Sequence, residues 1–374
     1  MFSPRALAAL FFLAAIAVFL SIISSRYFVV PVQVVFAPPE IATSPQTVPE
    51  TPEATSTTQI SMPESTAQTA PAPKPVEPPA PEPPPPPKFQ AMELNTMARA
   101  ALVNILCATS AASKVEGTSG SGVFISERGV ILTNAHIAEY FLLKDYPKPE
   151  SIECTIRMGS PAAPAYHARL LYLPPPWVQK NSDALTKENP FGTGENDFAF
   201  LLVTDTTNPK ASLPASFPAL SLAEENADPV SGELVLAASY PAEFLDSISI
   251  ARNLYAVTTI TTIGKIYTFG TDTKDVFSIG GVILAEKGSS GGPIVNSDGA
   301  VAGILVTSTE GATTDVRDAF AITALHISRS FSADIGITLA EFLNSPDLNS
   351  TAESFDKNVA PSLTKLITNH FKKP

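Results

Sequence analysis

The sequence predicts an all-β domain carried behind an apolar N-terminal segment and a proline-rich spacer. Two observations point there. Short apolar runs bounded by turn residues recur from about Leu102 to Ile322, the pattern of strands rather than of long helices. Pro38 to Pro87, by contrast, has a composition that cannot build a core.

The chain begins with 20 residues, Ala6 to Ser25, between Arg5 and Arg26, in which Ser21 is the only polar residue before the last two positions. As a helix rising 1.5 Å per residue this stretch spans about 30 Å, one bilayer core. It predicts an uncleaved signal anchor over residues 1–30, with the membrane as its partner. A cleaved signal peptide is the alternative, but its apolar core is shorter, and Pro38 directly follows the nearest small-x-small site, Val35-Phe36-Ala37. Arg5 and the amino terminus favour a cytoplasmic N-terminus. The remainder is then expected outside the cytoplasm, in the periplasm or at the cell surface, as a single-pass membrane protein.

Pro38 to Pro87 holds 17 prolines in 50 residues with six glutamates, and ends in five consecutive prolines. Residues 31–90 read as a disordered linker, reaching between about 40 Å as a coil and about 150 Å as polyproline II. A Pro-x-x-Pro ligand for a partner domain is the other reading. The formal charge of -12 argues against a nucleic-acid partner, which asks for a basic face. No metal-ligating constellation is visible, and no cofactor is expected.

Within 91–330 the most informative run is Gly288-Ser289-Ser290-Gly291-Gly292-Pro293, set between the strand-like segments 277–284 and 300–306. A serine hydroxyl is a poor nucleophile unless a base removes its proton. Upstream, His136 follows the apolar run ending Leu132-Thr133-Asn134-Ala135, and Asp197 precedes Phe198-Ala199-Phe200-Leu201-Leu202. His136 is the candidate base and Asp197 the group that would fix its tautomer. Taken singly, these residues read as a glycine-rich turn, a core histidine and a strand-edge cap. His167 and His326 lack a comparable setting, and Asp183, the competitor of Asp197, is not followed by an apolar strand.

Four blocks in order resemble the trypsin/chymotrypsin-like serine proteases, and more narrowly the bacterial HtrA (Deg-type) family, from about Leu102 to Ile327. They are Gly120-Ser121-Gly122-Val123-Phe124-Ile125, Gly129 to His136, Gly232 to Pro241, and Asp318-Ala319-Phe320-Ala321-Ile322, with the serine run between the last two. The resemblance implies two six-stranded antiparallel β-barrels, over about 92–232 and 233–330, with the active site between them. It implies a serine endopeptidase acting on protein or peptide substrates in extracytoplasmic protein quality control or processing. His136, Asp197 and Ser290 would be its triad, and the backbone N–H groups of Gly288 and Ser290 its oxyanion hole. Leu284, six residues before Ser290 where basic-specific relatives place an acid, implies an apolar pocket. Gly303, Ile304 and Leu305 would pair with extended substrate. Ser289 departs from the pattern, since trypsin-like enzymes carry Asp there and HtrA enzymes usually Asn, so the site must be ordered in some other way. A catalytically inactive peptide-binding module is the alternative.

His136 and Asp197 are 61 residues apart, more than in HtrA enzymes, which places an insertion between them from Leu173-Pro174-Pro175-Pro176-Trp177 to Glu195, through Asn189 and Gly192. Trp177, the single tryptophan, reads either as a substrate contact or as the residue that packs the insertion onto the barrel. Cys107 and Cys154 form either a disulfide, which an exported domain can oxidise, or two buried thiols. The last 43 residues cannot hold a PDZ domain. In the tail, 331–374, Leu363, Leu366, Ile367 and Phe371 fall on one helical face, predicting a terminal helix that docks on the barrel or on another subunit. Oligomeric state is left open.

Overall fold

In this computed structural model, residues 89–110, 116–187, 193–224, 227–309, 311 and 313–372 are described. Helix α1 (Ala91–Ala101) buries Leu94, Ala98 and Ala101 and runs directly into the first strand. Strands β1 (Leu102–Thr109), β2 (Thr118–Ser126), β3 (Val130–Thr133), β4 (Ile152–Met158), β5 (Ala163–Tyr172) and β6 (Ala199–Thr206) form a closed barrel in the order β1-β2-β3-β6-β5-β4. Every pair is antiparallel. The predicted apolar runs fill it: Leu102, Ile105, Phe124, Ile131, Leu132, Phe198 and Phe200 are fully buried. The β2–β3 turn needs Gly129, which has φ +81° and whose Cβ would strike the Phe217 ring. Cys107 and Cys154 face each other across β1 and β4 and are bonded as a disulfide.

The second half is seven-stranded, with β7 (Leu234–Ser239), β8 (Val257–Thr262), β9 (Ile266–Tyr267), β10 (Val276–Ser278), β11 (Pro293–Val295), β12 (Val301–Ser308) and β13 (Ala319–Thr323) in the order β8-β7-β11-β12-β13-β10-β9. The expected second six-stranded closed barrel is therefore corrected to a sheet that is not closed by a ladder. Its two end strands, β8 and β9, are parts of one stretch that bends at Gly264. Up to Ile263 that stretch bonds back toward β7, through Ile263 N to Glu233 O (2.9 Å). From Gly264 it turns its hydrogen bonds to Ser278, through Gly264 N to Ser278 O (2.7 Å) and Ser278 N to Lys265 O (2.8 Å). The sheet curls and its ends meet through the chain itself.

Helices occupy the connections. They are α2 (Ala135–Leu142), α3 (Pro175–Asn181), α4 (Ser247–Arg252), α5 (Ala324–Ile335), α6 (Leu339–Leu343), α7 (Leu348–Asn358) and α8 (Ala360–Thr368). The tail docks on the first barrel of its own chain: α7 lies on β5, and α8 on α2 and α3. Leu363 and Ile367 are buried and Phe371 stacks on Tyr146 at 5.5 Å, but Leu366 turns outward. Arg128 fastens the tail by donating to the carbonyls of Leu343, Ser345 and Pro346. The described part of the insertion is α3 and a short 3-10 turn, Ala184–Thr186, and Trp177 is buried in the core, so its role there is packing. Asn189 and Gly192 lie outside the described residues. So do the anchor predicted over 1–30 and almost all of the linker. Among the described residues no helix is long and apolar enough to cross a membrane.

Candidate active site

His136 sits in the first turn of α2, directly after β3. The helix has no side-chain cap from its own N-cap residue, Asn134. Asp197 does that work from a distance: Oδ1 accepts the His136 backbone N–H at 3.0 Å, and Oδ2 meets His136 Nδ1 at 2.7 Å. A carboxylate at a helix N-terminus is favoured by the partial positive charge there. Asn134 Nδ2 donates instead to the Asp197 carbonyl at 2.7 Å, so the aspartate is held by main chain and side chain together.

The turn that presents Asp197 depends on Gly194 (φ +80°) and Asn196 (φ +59°), residue types that tolerate left-handed backbone. Phe198, the next residue, is buried against Tyr172 at 6.0 Å, and Tyr172 meets Phe331 of α5 edge to face at 4.9 Å. The imidazole is about one-third exposed and the carboxylate nearly buried, with side-chain exposures of 32% and 9%. Burial pulls the His136 pKa down, but the Asp197 charge and hydrogen bond outweigh it and leave the pKa above 6.5. Glu139, one turn on and buried, has its carboxyl pushed well up by burial and by the Asp197 charge.

Ser290 is half-buried in the loop between β10 and β11. Ser121 of β2 fixes that loop. Its backbone N–H donates to Ser290 O at 2.7 Å and its hydroxyl to Gly288 O at 2.8 Å, while the hydroxyl accepts Tyr240 N–H at 2.9 Å. Thr133, three residues before His136, donates to Ser121 O at 2.7 Å, and a Cβ on Gly291 would overlap both Ser121 O and Thr133 Oγ1. The serine loop is thus clasped to the strand end that delivers His136. The carbonyls of 288 and 290 both turn toward Ser121, and among the described residues neither the Gly288 nor the Ser290 N–H has an acceptor. Gly288 is at φ +94°, and a Cβ there would strike Tyr240 O and Ala242. Ser290 Oγ donates toward the Val306 carbonyl at 3.5 Å.

Two specificity expectations are corrected. Leu284 is 1% exposed and packs in the second hydrophobic cluster with Phe277, Ile294 and Leu305, so it is a core residue. Gly303, Ile304 and Leu305 have no edge to offer an added strand. Gly303 and Ile304 pair with β11 on one side and β13 on the other, and Leu305 exchanges both bonds with Gly291 and Gly292 while pairing with Ala321. The irregularity in β12 between Leu305 and Thr307 leaves Val306 out of the β13 ladder. Sequence reading did not single out Val306, because a bulge has no composition signal here.

His326, set aside from the sequence for lack of a comparable setting, has polar partners of its own. It is buried, its Nδ1 lies 3.3 Å from Asp275 Oδ1, and its Nε2 lies 3.2 Å from Ser330 Oγ. Those side chains follow the same order as a nucleophile, base and acid. Ser330, however, is inside α5, where backbone N–H groups are committed to the helix. Asp275 is also fully engaged by Thr268, Thr273, Phe269 N and Arg329. That cluster anchors the 268–275 loop and offers no oxyanion donors.

Residues 120–304 match the family model described as "Trypsin-like peptidase domain". The chain carries a trypsin-like peptidase domain. It is a serine-type peptidase, a hydrolase. Among solved structures it is similar to the Rv3671c protease from M. tuberculosis in its active form, at 22% identity and a TM-score of 0.40, over 70% of this chain and 95% of that one. No curated protein matches. The peptidase domain spans both halves of the fold, from β2 to β12, and therefore includes His136, Asp197 and Ser290.

Proposed function

We propose that this peptidase is a membrane-tethered, HtrA-like serine endopeptidase with Ser290 as nucleophile, His136 as general base and Asp197 as the group that orients the imidazole. The grip of Asp197 on His136, through Nδ1 at 2.7 Å and the backbone N–H at 3.0 Å, carries the reading. With Nδ1–H held by the carboxylate, Nε2 keeps its lone pair for the serine proton. Attack on the scissile carbonyl makes an oxyanion, to which the Gly288 and Ser290 N–H groups donate. Each such donor contributes about 3 kcal/mol to the transition state. His136 then returns the proton to the leaving amine, and water repeats the cycle on the acyl-enzyme. An extended substrate pairs at Val306, whose carbonyl stands beside the nucleophile.

The domain acts outside the cytoplasm, tethered by residues 1–30 and spaced by 31–90. The Cys107–Cys154 disulfide supports that location, since such bonds persist in oxidising compartments. A serine-directed fluorophosphonate separates the enzyme from an inactive peptide binder. Wild type is expected to be labelled and Ser290→Ala not; labelling that survives the substitution, or none in either, defeats the catalytic assignment. A reporter fused after residue 40 that is active only in the cytoplasm would overturn the topology.

A further inference from the structure

We infer that Glu243 and Arg317 are positioning residues that latch the oxyanion loop, an inference that rests on the assignment of Ser290 and of the 288 and 290 N–H groups made above. The residue next to the nucleophile, Ser289, is buried and carries no charge. Among the described residues its hydroxyl accepts a neutral hydrogen bond, from Ser239 Oγ at 2.9 Å. Nothing at that position can fix the loop by an ion pair. The ion pair is found one shell outward.

Arg317 lies between β12 and β13. Its Nη1 and Nη2 grip Glu243 Oε2 and Oε1 at 2.5 and 3.0 Å, in the two-pronged geometry that suits a guanidinium. Nη1 also donates to Ala285 O at 3.0 Å, and Nε to Gly311 O at 3.0 Å. Glu243 lies in the segment after β7. Its Oε2 accepts the Lys287 N–H at 3.3 Å, while Ala242 N–H donates to Lys287 O at 2.8 Å. The main chain of Lys287 is therefore held on both its N–H and its carbonyl, one residue before the Gly288 N–H. Three segments, at 242–243, at 285–288 and at Gly311 with Arg317, converge on one guanidinium. The pair is largely shielded, at 13% and 20% side-chain exposure.

Glu286 completes the arrangement. Its carboxyl is pushed up by burial and by the Glu243 charge, with Arg317 opposing. Without Arg317, the repulsion between the Glu243 and Glu286 charges loses the cation that opposes it. The loss of Arg317 therefore opens the loop more than the loss of Glu243 does, and removing both does less harm than removing Arg317 alone.

The test uses the full chain in detergent, with the fluorophosphonate as probe and inactivation resolved into its maximal rate and its half-saturating concentration. Removal of an oxyanion donor costs about 10²–10³-fold. Arg317→Met, which loosens one, is expected to slow the maximal rate by at least about tenfold with half-saturation within twofold of wild type. Arg317→Lys is expected to fall between, and the double variant Glu243→Gln/Arg317→Met to label faster than Arg317→Met. A merely structural role would move the melting midpoint and not this split. A labelled wild type with Arg317→Met within twofold of its rate overturns the latch. Should Arg317→Met not melt cooperatively, Arg317→Lys and Glu243→Asp decide, and rates within twofold of wild type in both overturn it. A wild type that does not label at all removes the Ser290 assignment instead.

Discussion

Replacing Asp197 with Asn removes one charge and almost no volume, so it isolates what the carboxylate does for His136. Oδ1 of the amide can still accept the His136 backbone N–H now held at 3.0 Å. The amide nitrogen must then face Nδ1, now 2.7 Å from a carboxylate oxygen, and two donors cannot share that contact. The imidazole is forced to the tautomer that carries its proton on Nε2, where it cannot accept from Ser290. A wrong tautomer in this chemistry costs about 10⁴ in kcat, or about 5.4 kcal/mol of barrier. The side-chain bond from Asn134 Nδ2 to the 197 carbonyl is untouched, so the fold should survive with a loss of only about 1 kcal/mol. Because the anion that raises the His136 pKa is gone while its burial remains, the acid limb of the residual activity should also move to lower pH. The assay is kcat/KM on a fluorogenic unstructured substrate across pH 5 to 9, beside a thermal melt. Activity within tenfold of wild type at neutral pH, with the melt unchanged, would refute the orienting role.

In the wild type, His136 must be neutral to act as base, so the acid limb of kcat/KM should have its midpoint above 6.5; a midpoint at or below that value contradicts the Asp197 coupling. The same shift makes a stability contribution that is complete below pH 6.5 and fades as pH rises through the raised value, visible as a melting midpoint that falls over that window and does not in His136→Gln. Replacing both Cys107 and Cys154 with serine opens a loop of separation 47 and should lower unfolding free energy by about 4 kcal/mol on the chain-entropy model, measured by urea titration. Leu284→Ala should cost about 2–5 kcal/mol in the same titration, as expected of a core leucine, with the cleavage-site preference of a peptide library unchanged; an altered preference with full stability would restore the pocket reading.

The linear chain was enough to identify the strands and the three candidate side chains. Alternation and apolar runs record burial locally, and the candidate nucleophile, a serine between glycines, is legible because Gly288 and Gly291 must adopt positive φ angles that other residues resist. It also marked the tail helix through Leu363 and Ile367. What it could not supply were relations between distant segments. Leu284 reads alike whether it lines a pocket or fills a core, and Gly303 to Leu305 read as a strand whether or not both edges are taken. The second half's failure to close as a ladder turns on where one stretch bends, at Gly264. The aspartate that caps another element's helix, the bulge that frees Val306 and the arginine that ties three loops together have no local pattern. Each is decided when segments tens to more than a hundred residues apart compete for the same hydrogen-bonding groups, and that competition is resolved only in three dimensions.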